Sequence, residues 1–183
     1  MTLERRSTRA ERFERLYEEH FEAIRRYAWR REPALADDVV AETFLVAWRR
    51  LEDVPESARP WLIGVARNVR LNLRRGRQRQ EALAQRLVGA SPSPVPPDRS
   101  REEELVQAAL ARLAPRDREV LLLAAWDDLD RTEIAEVLGC SKANASLRLH
   151  RARRRFAAAV DELDEGDRRT IVSRSLVSGG ADV

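Results

Sequence analysis

DRTEIAEVLGCSKANASLRLHRARRRF, running from Asp130 to Phe156, reads as two short helices joined by a tight turn. Asp130 is placed to cap the first, with Glu133 three residues on to reach back in a capping box. Ile134, Ala135, Val137 and Leu138 give that helix an apolar side. Gly139 supplies a residue that enters the left-handed region at no steric cost. Cys140 falls in the turn, where a small half-buried residue is expected, and Ser141 can cap the second helix. There Ala145, Leu149, Ala152 and Phe156 form one narrow stripe at helical period. Between Lys142 and Phe156 no acid interrupts Arg148, Arg151, Arg153, Arg154 and Arg155. A tight turn, an apolar seam and a basic exterior fit a helix-turn-helix whose second helix enters the major groove.

At about 100° per residue, the side opposite the seam holds Ala143, Asn144, Leu147, His150, Arg151 and Arg154. Asn pairs bidentately with adenine and Arg with guanine, while Leu147 could press on a thymine methyl. Ser146, Arg153 and Arg155 lie nearer the flanks, where phosphate contacts fix register without reading sequence. The bland alternative is a solvated basic helix at a protein interface. The coincidence of cap, turn and seam favours DNA.

The 183 residues suffice for one ordinary domain or two small ones, and 43% hydrophobic content allows a core. Net charge is only +3, so distribution matters more than total. Of 34 basic residues only Lys142 is lysine, an arginine excess that a GC-rich genome alone can produce. Acid-free runs on particular helices say more. One cysteine excludes an internal disulfide and fits a reducing cytoplasm. With His20 and His150 far apart there is no metal-ligand cluster, and no cofactor is expected. The charged amino terminus lacks the apolar stretch of a signal peptide. No apolar run approaches the roughly 18 residues of a membrane span.

Working outward, Thr8 to Arg31 is helical by its spacing of Phe13, Leu16, Tyr17, Phe21, Ile24, Tyr27 and Ala28. After Pro33 a second helix is expected over about 35–51, with Val40, Phe44, Ala47 and Trp48 on one face. Asp37 and Asp38 suit its positive N-terminus. Residues 51–60, LEDVPESARP, read as a loop. A third helix is expected from near Trp61 to about Leu87, burying Leu62, Val65, Ala66, Val69 and Leu73. Arg67, Arg70 and Arg74 project from its far side, and Asn68 and Asn72 share a face near Trp61. From Trp61 to Arg79 it carries six arginines and no acid. That suits a nucleic-acid backbone with some bases read individually, and equally a solvated helix. Residues 88–100 hold four prolines and three serines and read as a linker. Beyond it Leu105, Val106, Ala109, Leu110 and Leu113 mark a further helix. Pro115 opens another that buries Val120, Leu121, Leu123 and Ala124 and closes at Trp126. From Asp161 the tail turns polar. The expected fold is all-α, with domains at 8–87 and 101–160, a Pro-rich linker at 88–100 and a tail at 161–183.

Two helical units, each with an acid-free basic helix, resemble the extracytoplasmic-function (group 4) sigma factors of bacterial RNA polymerase. The resemblance rests on DDVVAETFLVAW (37–48) and PWLIGVARNVRLNLRR (60–75), similar to sigma region 2. It rests equally on LAPRDREVLLLAAWDDLDRTEIAEVLG (113–139) and SLRLHRARRRF (146–156), similar to region 4. It implies that Asp37, Asp38, Val40, Glu42, Thr43, Phe44 and Leu45 dock on core RNA polymerase. It implies that Trp61, Arg67, Asn68, Arg70, Asn72 and Arg74 meet the −10 element of promoter DNA and hold a flipped base. It assigns the −35 element to Ser141, Lys142, Ala143, Asn144, Ser146, Leu147, Arg148, His150, Arg151 and Arg154. Asn144, Ala145 and Ser146 stand where the family often has Thr-Val and a basic residue, so no −35 sequence is carried over. An anti-sigma factor is a further implied partner, which no residue here names.

A sigma factor has no chemistry of its own. The competing reading is a free-standing helix-turn-helix regulator that binds operators without polymerase. Such a regulator would not need the acidic helix at 37–48 or the aromatic-amide face at 61–72. An enzyme is the third class; the sequence shows no nucleophile–base constellation, no paired carboxylates in an apolar pocket and no small-molecule site.

Overall fold

Helix caps that can be read from local chemistry sit where the sequence puts them. In the computed structural model, which describes residues 2–85 and 100–178 and side chains within 8–80 and 100–165, Asp130 caps α6 (Arg131–Leu138). Its carboxylate accepts from the Thr132 and Glu133 amides, and Glu133 accepts from the Asp130 amide. Gly139 ends the helix at φ 61°, ψ 44°, and Cys140 follows half-buried. Replacing Asp130 with Ala should therefore cost about 1 kcal/mol of stability, read as a lower urea midpoint at unchanged slope. An unchanged midpoint would mean that the cap contributes nothing.

The expected all-α fold is observed: among the described residues there is no strand. The other helices are α1 (Thr2–Arg31), α2 (Ala36–Arg49), α3 (Ala58–Gln85), α4 (Arg101–Arg112), α5 (Pro115–Ala125) and α7 (Lys142–Ser178). By packing, α1, α2, α3 and α6 fall in one unit and α4, α5 and α7 in another. The expected linker before Ser100, the expected helix end near Leu87 and the last residues of the tail lie outside the described residues.

In the first unit, α1 and α2 meet through aromatic rings. Phe13, Tyr17 and Phe21, one turn apart on α1, close on Phe44 and Trp48. The Tyr17–Phe44 and Phe13–Trp48 centroids lie 4.7 and 5.1 Å apart. Edge and tilted contacts of this kind add to the area they bury. Ile24, Tyr27, Val39, Ala47, Leu62 and Ile63 complete the core. His20 is buried in α1, where desolvation holds its imidazole below the usual pKa and so favours the neutral ring. α3 begins three residues earlier than expected, because Pro60 sits in its first turn, where a missing N–H leaves no bond unmade.

In the second unit α7 is the helix against which the other two, α4 and α5, each pack. On α5, Val120, Leu121, Leu122 and Leu123 are consecutive and all buried, while Arg116 and Ala125 at its two ends are exposed. Ser100, expected in the linker, instead caps α4 in a capping box with Glu103. The Arg118 guanidinium donates to the Leu110 and Ala111 carbonyls and so satisfies the other end of α4.

Candidate nucleic-acid and polymerase surfaces

Three surfaces carry the residues singled out from sequence, and burial sorts each set. On α2, Ala36, Val39, Val40, Thr43, Phe44 and Ala47 form one buried arc. Val40, Thr43 and Phe44 are thus core residues, correcting their expected placement in a docking face. The Thr43 hydroxyl donates to the Val39 carbonyl one turn back. Asp37, Asp38, Glu42 and Leu45 remain exposed. Trp48, expected in the core, joins them at 38% exposure, because it lies one step round the helix from Phe44 and beyond the arc. Arg9 lies over its ring at 4.9 Å and donates to its carbonyl. The outward face of α2 is therefore acidic at its start and apolar toward its end.

On α3 the buried arc is displaced toward Ile63, a residue left out of the expected stripe. At about 100° per residue Arg70 falls between Ala66 and Ile63, and it is only 8% exposed. This corrects its expected position on the far side. Arg67 and Trp61 are half-buried, while Asn68, Asn72 and Arg74 are exposed. Asn72 Oδ1 accepts from Arg75 at 2.7 Å. Trp61, Asn68 and Asn72 share the face opposite the buried arc. The Arg50 guanidinium stands 5.8 Å from the Trp61 ring and is held by Asp53 at 3.0 Å. A cleft of about 330 Å³ opens beside Trp61, with Arg50, Arg67 and Asn68 in its lining. Sequence reading missed Arg50; its only signal was adjacency to the loop before α3. Aromatic, amide and cationic groups around an open cleft can stack on and hydrogen-bond an unstacked base.

On α7 the seam is buried as expected: Ala145, Leu149 and Ala152 fully, Phe156 in part. Ser141, Lys142, Ala143, Asn144, Leu147, His150, Arg151 and Arg154 are exposed, and Ser146 and Arg148 are half-buried at the flanks. Arg155 differs from its neighbours, since Asp117 of α5 pairs with its guanidinium. That ion pair makes Arg155 a brace between α5 and α7 rather than an open phosphate contact. A second pair, Arg112 with Glu162 at 3.2 Å, ties α4 to α7. Elsewhere on this unit Val106, Leu110, Leu122, Trp126 and Phe156 border an apolar groove of about 220 Å³.

The sigma-70 region 2 family model matches residues 16–80, and the sigma-70 region 4 model matches 103–156. SigL of Mycobacterium tuberculosis, an ECF RNA polymerase sigma factor, is 33% identical over 161 residues, covering 81% of this chain and 88% of SigL. The chain belongs to the ECF sigma factors. As such it binds core RNA polymerase and directs initiation at promoters, which sets aside the free-standing operator-binding regulator. The structure of CnrH in complex with the cytosolic domain of CnrY matches this ECF sigma factor with TM-score 0.58 and 28% identity, over 82% of this chain and 88% of CnrH. The sigma factor RpoE, in complex with the anti-sigma factor NepR from Bartonella quintana, shares the fold. It has TM-score 0.64 and 22% identity, covering 81% of this chain and 96% of RpoE. Among the described residues no helix is long and apolar enough to cross a membrane.

Proposed function

We propose that three helices divide the work of promoter-specific initiation, α2 holding polymerase, α3 opening the −10 element and α7 reading the −35 element. Asp37, Asp38, Glu42 and Leu45, with Trp48 added, form the polymerase-docking face. Trp61 and Asn68 receive a flipped base of the −10 strand, and Arg67, Asn72 and Arg74 hold its backbone. Arg70, being buried, keeps α3 in place and reaches the strand only through that helix. Ser141, Lys142, Ser146 and Arg148 fix α7 on −35 phosphates, while Asn144, His150, Arg151 and Arg154 face base edges. Residues 8–87 then act as the −10 and polymerase module and 101–160 as the −35 module.

One observation carries this division. Two acid-free cationic stretches, 61–79 of α3 and 142–156 of α7, each with an exposed polar face, share a chain with an acidic and apolar outward face on α2. A positive helix recruits phosphate, whereas an acidic one repels it and needs a different partner. The chain performs no reaction of its own and works in the cytoplasm, where polymerase and chromosome are. RpoE and CnrH were each solved with a bound protein, in RpoE's case an anti-sigma factor. We extend such control to this chain.

Replacing Asn68 with Ala should lower the fraction of open complex about tenfold, the effect of one lost base contact, while closed-complex affinity stays nearly unchanged. Permanganate reactivity of the melted thymines and filter binding at low temperature read the two steps. Equal losses at both would remove Asn68 from the base pocket.

A further inference from the structure

We infer that Leu147 reads the 5-methyl group of a thymine in the −35 element, an inference that rests on the proposed docking of α7 in the major groove. A lone exposed leucine is ordinary on a protein surface. The position of this one is not. It is 48% exposed at the centre of the α7 face opposite the seam, with exposed Ala143 one turn before and exposed Arg151 one turn after. Arg148, His150 and Arg154 surround it, and no acid lies on the helix between Lys142 and Phe156.

An apolar protein partner would be met by an apolar patch, yet Leu147 stands among cations and amides. The apolar groove of this unit is lined by other residues. A membrane surface would be met by several bulky apolar side chains on one face, whereas Ala143 is the sole apolar companion within a turn on this face. Duplex DNA suits both properties together. Cations meet the phosphates, and on the floor of the major groove the thymine methyl is the one apolar group that any base pair presents. Against other base edges the isobutyl group would cover polar atoms that need hydrogen bonds. Leu147 therefore rejects as well as selects.

Position follows from the same geometry. Leu147 and Arg151 lie one turn, about 5.4 Å, apart along α7, so the thymine under Leu147 is a different base from the one under Arg151.

The test uses holoenzyme assembled from the full chain and core polymerase. The preferred −35 element is first selected from a randomised library. Each thymine in it is then replaced by deoxyuridine, which removes only the methyl, and binding is compared for the native chain, Leu147→Ala and Arg151→Ala. At one thymine, deoxyuridine should weaken the native holoenzyme about fourfold, the fold-change of ~0.8 kcal/mol for one methyl-sized burial. Leu147→Ala should be indifferent to that replacement, and Arg151→Ala should retain the native response to it. An element with no selected thymine, or equal deoxyuridine responses in native and Leu147→Ala holoenzyme, overturns the inference. If Arg151→Ala leaves every −35 preference intact and deoxyuridine has no effect anywhere, the docking of α7 itself fails instead.

Discussion

Phe44→Ala should lower the stability of the protein by about 3–5 kcal/mol, the usual cost of removing a buried aromatic ring. Phe44 is 4% exposed and closes on Phe13, Tyr17 and Phe21 of α1, so its loss opens a cavity between two helices of the first unit. Domains are commonly stable by only about 5–15 kcal/mol, so much of this protein's margin is at stake. Asp38→Ala, Glu42→Ala and Leu45→Ala should each change stability by about 0.5 kcal/mol or less, since their side chains face outward. Those exposed variants should nevertheless weaken binding to core polymerase without DNA. Urea unfolding and a polymerase titration, performed on the same four proteins, separate the roles. A Phe44→Ala protein of native stability that fails to bind polymerase would return Phe44 to the docking face.

Leu123→Ala should cost about 2–5 kcal/mol and do so in the second unit alone. Leu123 is fully buried on α5, within a run of four consecutive buried residues, so truncating it leaves a cavity in that core. Hydrogen exchange resolved by peptide gives the location. Amides of α4 and α5 and the first turns of α7 should lose at least about thirtyfold protection, with those of α2 and α3 unchanged. Initiation that depends on the −35 sequence should fall with them. Uniform deprotection of both units would show that they unfold as one, and unchanged protection would remove Leu123 from the core.

What could be read from sequence was what local chemistry dictates. Asp130 with Glu133, Gly139 and Pro115 occupy cap and first-turn positions that depend only on neighbouring backbone groups. The α7 seam was legible for a related reason, since its apolar residues are separated by charges that leave one arc available. Where apolar residues surround a helix more widely, periodicity alone did not fix the arc. In α3 the stripe through Leu62, Ala66 and Val69 is compatible with burial reaching either Val65 or Ile63. The neighbouring helices choose Ile63, and Arg70 is carried into the interior with it. In α2 the arc covers Thr43 and stops short of Trp48, reversing what polarity alone suggests for both. Ser100 was obscured by the proline-rich residues before it, although Glu103 three positions on completes its capping box.

The most direct measurement is binding of the purified full-length chain to core bacterial RNA polymerase, followed by transcription from a genomic promoter library. The expected result is stable binding without DNA and initiation at a discrete set of promoters that share a −10 and a −35 sequence. Sequence-specific binding to duplex DNA by the chain alone, with no affinity for core polymerase, would contradict a sigma factor's role.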